Sequence, residues 1–117
     1  VLFIAESKII QEVAEKEPCI IIGRCADFIL KDNPKAIKVF CYSDPESAYE
    51  RCTQSYGVPK DKAEAQIRTI NRNRATHYEY YTGKKWKDPS HYDLMINTSH
   101  IDIEEACNLI KRIYEKM

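Results

Sequence analysis

The sequence predicts an α/β domain in three layers, a parallel sheet with helices on both faces. Short apolar runs without polar alternation occur at Cys19 to Ile22, Ala36 to Tyr42 and Tyr92 to Ile96, as expected of strands covered on both sides. Segments of helical periodicity stand between and around them. Strands alternating with helices pair in parallel through right-handed crossovers, so the order αβαβααβα leads to one sheet between two helical layers.

Each element has its own reason. Phe3 to Glu15 carries Ile9, Ile10, Val13 and Ala14 on one side and stops before Pro18, which makes a helix packed on one face. Cys19 to Ile22 is the first strand, ended by Gly23, and Cys25 to Leu30 resumes a short apolar pattern that Asp32-Asn33-Pro34 closes with turn chemistry. After the second strand, Ser43-Asp44-Pro45-Glu46 has the Ser-x-x-Glu spacing of a capping box, and one helix is expected to about Tyr56, ended by Gly57. Pro59 opens the longest helix, which runs through strong helix formers to about Tyr81, where Thr82-Gly83 stops it. Lys84 to His91 is basic, holds Trp86 and Pro89 and lacks periodicity, so it reads as a surface loop. Tyr92 to Ile96 makes the third strand, and Asp102-x-x-Glu105 caps a last helix with the stripe Ile103, Ala106, Ile110 and Ile113.

Composition narrows the chemistry. A chain of 117 residues is one domain at most. Its 18 Lys and Arg balance 18 Asp and Glu, so no global field favours nucleic acid or a membrane, and any anion site has to be local. No apolar run approaches the length of a membrane span. The 5 cysteines show no C-x-x-C pair and suit a reducing compartment, hence an expected cytoplasmic protein. His77, His91 and His100 are scattered without ligand spacing; they read as surface residues, and no metal site is expected from them.

The arginines are the informative charges. In an open parallel sheet, ligands bind at the carboxyl ends of the strands, which is where Gly23-Arg24 falls. Glycine lets the backbone pass close to a ligand, and arginine offers a planar fork that matches phosphate. Arg24 therefore either meets an anion or pairs with a carboxylate such as Asp27 or Glu46. On the long helix, Ala63, Ile67, Ile70, Arg74, Tyr78 and Tyr81 share one stripe. An arginine centred in an apolar stripe needs an anion or a route to water along the helix. Arg68 and Arg72 lie on an adjacent face, within reach of the same anion or simply solvating the helix. Tyr78, Tyr80 and Tyr81 read as packing residues.

Ile-Ile-Ile-Gly-Arg-Cys-Ala-Asp-Phe-Ile-Leu, Val-Phe-Cys-Tyr-Ser-Asp-Pro-Glu, Asn-Arg-Ala-x-x-Tyr-x-Tyr-Tyr-Thr-Gly and Tyr-Asp-Leu-x-Ile-Asn-Thr-Ser occur in this order over nearly the whole chain. In combination they resemble the cytidylate kinase-like family of P-loop proteins, and more remotely the bacterial cytidylate kinases. The resemblance implies a P-loop kinase-like fold with its core at 1–58 and 92–117 and a helical lid at 59–91. It implies ATP-dependent phosphoryl transfer, with magnesium, to a nucleotide or nucleoside. It matches Arg24 to the phosphate-holding arginine and Arg74 to the lid arginine, and leaves the role of Asp27 less clear; with Arg72 and Arg68 from helix spacing, the candidates are Arg74 and Arg72 for catalysis, and Arg24, Gly23, Asp27 and Arg68 for phosphate or substrate binding. Asn97 and Thr98 would lie near the nucleotide base.

Three departures accompany the resemblance. Ile22 stands where the cytidylate kinases carry an acid that supports magnesium, and Cys25 and Asn71 replace aspartates that help bind the substrate. No Gly-x-x-x-x-Gly-Lys-Ser/Thr stretch occurs among residues that include only 3 glycines. The family comparison places that loop after a strand lying between those at Cys19 and Ile37. The fold is thus expected to be incomplete at the N-terminus and inactive by itself, its sheet completed by an N-terminal segment or a further chain, a homo-oligomer included. Two other readings stand beside this one. One is a non-catalytic nucleotide-binding or regulatory module of the same fold. The other is a nucleic-acid surface of Arg68, Arg72, Arg74, Lys84, Lys85 and Lys87 with the interleaved tyrosines, against which the zero net charge counts.

Overall fold

The computed structural model describes residues 2–117. Helix α1 spans Leu2–Lys16, a short helix α2 Ala26–Ile29, and strand β1 Val39–Tyr42. Helix α3, Pro45–Glu50, continues into a π-helical turn at Arg51–Ser55. Helix α4 spans Lys60–Thr82, a 3₁₀ turn Pro89–His91, strand β2 Leu94–Asn97 and helix α5 Ile103–Glu115.

The sheet holds two strands where the sequence predicts three. β1 and β2 pair in parallel, in register from Val39 opposite Leu94 to Tyr42 opposite Asn97, and the intervening helices form the crossover. Backbone bonds between Lys38 and Asp93 open the ladder. The expected strand at Cys19 to Ile22 does not form: those residues join no ladder, and Ile20 and Ile22 are 92% and 88% exposed. β-branched side chains favour a strand only against a hydrogen-bonding neighbour and a packed face, and this segment meets neither among the described residues. The three-layer sheet is corrected accordingly to a mixed α/β domain with a two-stranded parallel sheet.

Aromatic residues close the core over β1. Phe40, 6% exposed, has Trp86 and Tyr92 at ring-centroid distances of 5.2 and 5.0 Å. The Tyr92 hydroxyl donates to the Trp86 carbonyl at 2.5 Å. The segment expected as a surface loop at Lys84 to His91 is thereby half core, because its one tryptophan has an apolar wall to cover. His91, expected at the surface, has a side chain only 12% exposed, and its Nε2 is buried without a hydrogen-bond partner.

Helix boundaries differ from expectation at one capping box and agree at the other. The Asp102 carboxylate accepts from the Glu105 amide at 2.8 Å, as predicted. At the start of α3 the N-cap is Asp44, whose side chain makes no capping bond, and Ser43 caps nothing. The Asp44 carboxylate is engaged elsewhere, by Asn97 and His100. The expected single helix to Tyr56 widens after Glu50: the Tyr56 amide donates to the Arg51 carbonyl at 3.2 Å, a five-residue step. Thr53 contributes, since its hydroxyl donates to the Tyr49 carbonyl at 2.9 Å and competes with the regular ladder. Gly83 ends α4 in the left-handed conformation, φ 69°, its amide donating to Glu79.

Candidate functional site

Two turns and one helix carry the candidate residues, and the turn at Gly23 follows an unpaired segment where the sequence predicts a strand end. The first turn is Gly23-Arg24-Cys25, in which all three residues are left-handed, with φ of 71°, 59° and 57°. Left-handed backbone costs a residue with a Cβ about 1–2 kcal/mol, so two such residues in succession need compensation. Cys25 supplies part of it by burying its side chain to 4% exposure and accepting at its carbonyl from the Phe28 and Ile29 amides. Arg24 is turned outward: its side chain is 68% exposed and its guanidinium meets the Glu6 carboxylate of α1 at 3.5 Å. The partner is thus neither Asp27 nor Glu46. An ion pair so exposed is weak and exchanges readily with another anion.

Asp27 faces inward instead. It accepts from the Tyr78 hydroxyl at 2.7 Å, a bond that joins α2 to α4. Burial and this bond to a carboxylate push the Tyr78 phenol well above its usual range, and burial with the Asp27 charge raises Tyr92 to about 12. Burial, followed by the Asp27 and Glu6 charges, also raises the Cys25 thiol. Each group is held in its protonated form at neutral pH, so the cluster supplies neither a thiolate nor a phenolate nucleophile. Its work is mechanical: it holds the C-terminal part of α4.

Helix α4 is fastened at both ends and bare between them. Ala63 is fully buried near its start, and α4 packs on α3 and the π turn. Near its end Tyr78 is buried against Asp27, and Tyr81 stacks on Phe3 of α1 at 4.5 Å. Residues 68–74 are all exposed. The stripe that places Arg74 among apolar neighbours is therefore not a buried one: Ile70 is 46% exposed and Arg74 is in solvent. Arg68 pairs with Glu64 at 3.2 Å, one turn back. Arg72 and Arg74 make no ion pair among the described residues.

The second turn, Asn97-Thr98-Ser99-His100, follows β2. Asn97 donates to Asp44 at 3.2 Å and accepts from the Ser99 amide at 2.9 Å. Thr98 bonds the Tyr42 carbonyl through its amide at 2.8 Å and its hydroxyl at 3.0 Å. The Asp44 amide donates to the Ser99 hydroxyl at 2.7 Å, and His100 lies 3.4 Å from the Asp44 carboxylate. Arg51 completes the network with bonds to the hydroxyl and carbonyl of Thr98 at 3.1 and 3.2 Å.

Asn97 and Thr98, expected near a base, thus shape the turn through bonds inside the protein. Sequence reading placed Ser99 beside Asn97 and Thr98 but missed Arg51 and Asp44 as their partners. The signal was present in the parallel pairing, which sets Ser43-Asp44 and Thr98-Ser99 side by side as continuations of neighbouring strands. The Tyr78 bond to Asp27 was likewise readable, since a tyrosine on the packed face of a helix needs a partner for its hydroxyl.

Among the described residues no group of three or more His, Cys, Asp or Glu could hold a metal ion, and all five cysteines are free. No helix among the described residues is long and apolar enough to cross a membrane. A family model described as the cytidylate kinase-like family matches residues 1–100. The structure is similar to the crystal structure of an uncharacterized protein from Eubacterium ventriosum, with a TM-score of 0.90 and 29% identity over 98% of this chain and 65% of that one. The chain thus spans 65% of the length of that relative. No curated protein matches it.

Proposed function

The chain belongs to the cytidylate kinase-like family, and from that premise we propose that it forms the arginine-bearing wall of a domain that transfers a phosphoryl group from ATP to a nucleotide or nucleoside. The observation that carries this reading is the bare midsection of α4, where Arg72 and Arg74 stand exposed without carboxylate partners on a helix fixed at both ends. Unpaired guanidinium groups on a fixed support are what phosphoryl transfer asks of a protein, because its catalysis is mostly positioning and stabilisation of charge. As the bond from the bridging oxygen to phosphorus breaks and the acceptor oxygen takes its place, Arg74 and Arg72 neutralise the equatorial oxygens. Arg24, released from Glu6, binds phosphate from the left-handed turn, with Gly23 allowing close approach. Arg68 adds charge once it leaves Glu64. The turn at Asn97 and Thr98 borders the nucleoside, and Asp27 serves through Tyr78 by holding the helix.

Magnesium does not fit the residues of this chain taken alone. The described residues offer no cluster of donors, and just before Gly23, where an acid would support the ion, stands Ile22. The exposed Ile20 and Ile22 and the second edge of β1 are the places where a further segment completes the sheet, and groups outside these residues supply the phosphate cradle. The same absence of an acid favours a second reading, a nucleotide-binding module without turnover.

The test is ATP consumption and nucleotide binding by the full-length protein against a panel of nucleoside monophosphates and nucleosides. Turnover that falls on substitution of Arg74 is the expected result. Binding without turnover selects the regulatory module, and failure to bind any nucleotide overturns both readings.

A further inference from the structure

We propose that Arg51 is a positioning residue, which locks the Asn97–His100 turn in the shape that receives the nucleoside end of the ligand. This rests on the nucleotide-binding reading above. Three observations lead to it.

Arg51 directs its fork at a single residue 47 positions away, donating from Nη1 to the Thr98 hydroxyl and from Nη2 to the Thr98 carbonyl. A fork closed on two oxygens of one residue fixes orientation as well as distance, which a lysine ammonium cannot reproduce. Thr98 is the residue through which such a hold is transmitted, because its amide and hydroxyl both bond the Tyr42 carbonyl at the end of β1. Its hydroxyl donates to Tyr42 while accepting from Arg51, so the donor and one lone pair are in use together.

The turn is also held from its other side. The Asp44 amide bonds Ser99, and the Asp44 carboxylate takes bonds from Asn97 and lies beside His100. Asn97, Thr98 and Ser99 are thereby engaged within the protein, and the His100 ring, held at one nitrogen by Asp44 yet 77% exposed, is the part of the turn that faces solvent. Arg51 is, in addition, the first residue of the π turn, and π turns within helices concentrate at functional sites. Arg51 itself keeps regular helical dihedrals, φ -63° and ψ -44°, so the widening falls on the residues after it.

The experiment compares full-length wild type with R51A, R51K, T98V and R51A/T98V. Amide hydrogen exchange is read over residues 97–100 and over α5, together with ATP affinity and kcat. Exchange in the turn should rise about tenfold in both R51A and R51K while α5 is unchanged. ATP affinity should fall about tenfold, with kcat at saturating ATP altered less than twofold. T98V loses the Arg51 bond and the Tyr42 bond of the hydroxyl but keeps the carbonyl contact, so the double variant should fall short of the sum of the two single effects by the one bond they share. R51K behaving as wild type would make Arg51 a charge contact instead of a positioning fork and overturn the proposal, as would unchanged exchange in R51A or additive effects of R51A and T98V. If wild type binds no ATP, the function proposed above falls and takes the ligand side of this assignment with it, while the exchange data still report whether Arg51 holds the turn.

Discussion

The turn at Gly23 and the turn after β2 use arginine in opposite ways. After the unpaired segment at Cys19 to Ile22, the chain passes through three left-handed residues and Arg24 leans on a carboxylate from solvent. After β2, the chain is tied at every polar side chain, and Arg51 is partly buried with both outer nitrogens engaged. The first turn stores backbone strain and leaves its charge available; the second is relaxed and has its arginine in service to the fold. A binding surface needs both, since a cation already satisfied within the protein gains little from a ligand, and a free one on a loose frame loses orientation entropy on binding. The bare turns of α4 belong with the first kind of arginine and the fastened ends of α4 with the second kind of frame.

The strongest way to break this contrast is to remove the freest cation. Arg74→Ala in the full-length protein should lower kcat by about 100-fold, while the unfolding free energy changes by less than about 0.5 kcal/mol. Arg68→Ala should lower kcat less, because Arg68 already pairs with Glu64. Steady-state kinetics with chemical denaturation of the same samples decides the matter, and a large loss of stability in Arg74→Ala would refute the exposed placement.

Next in size is the fastening of α4. Tyr78→Phe removes the donor to Asp27 and should destabilise the protein by about 1–2 kcal/mol, with faster amide exchange at the end of α4 and little change at Thr98. Exchange rising equally in both regions would mean that the two turns are one cooperative unit.

A smaller effect sharpens the strain contrast. Arg24→Gly relieves a left-handed residue with a Cβ, against the greater chain entropy that glycine brings to the unfolded state, so stability should hold or rise by up to about 1 kcal/mol. Nucleotide affinity should fall at the same time. Denaturation and calorimetric titration with ATP read the two sides, and a loss of both would mark Arg24 as structural.

The smallest effect lies in alkali. Burial and the nearby Asp27 charge push Tyr92 up to about 12 in the folded protein, above the ordinary phenol value of about 10. A raised folded-state pKa favours the neutral phenol, so its contribution is fully present below pH about 10 and is lost as the pH rises through about 12. Tyr78 acts in the same direction. Tyr92→Phe should therefore be less stable at neutral pH yet decline less steeply between pH about 10 and 12, as followed by denaturation at fixed pH values.

Much of the fold was legible because it rests on local rules. Gly83 ends α4, the Asp102 cap forms with Glu105, and the parallel pairing of the strands after Ala36 and Tyr92 follows from their apolar character and the helices between them. The strand expected at Cys19 shows where local rules stop: β-branching states a preference, and a ladder needs a second chain segment at hydrogen-bonding distance. Arg74 shows the same for helices. Periodicity correctly put Arg74 and Tyr78 on one stripe, but a stripe is buried only where something covers it, and Asp27 covers Tyr78 while residues 68–74 are exposed.

By itself the sequence determined that this is an α/β chain with permanent charges at the Gly23 turn and along one long helix, because helix caps, turn residues and period depend on neighbours a few positions away. Only the tertiary structure decided which arginines are free and which are held. That division depends on contacts such as Arg51 with Thr98 and Tyr78 with Asp27, 47 and 51 residues apart, where partner and distance are set by how the elements pack.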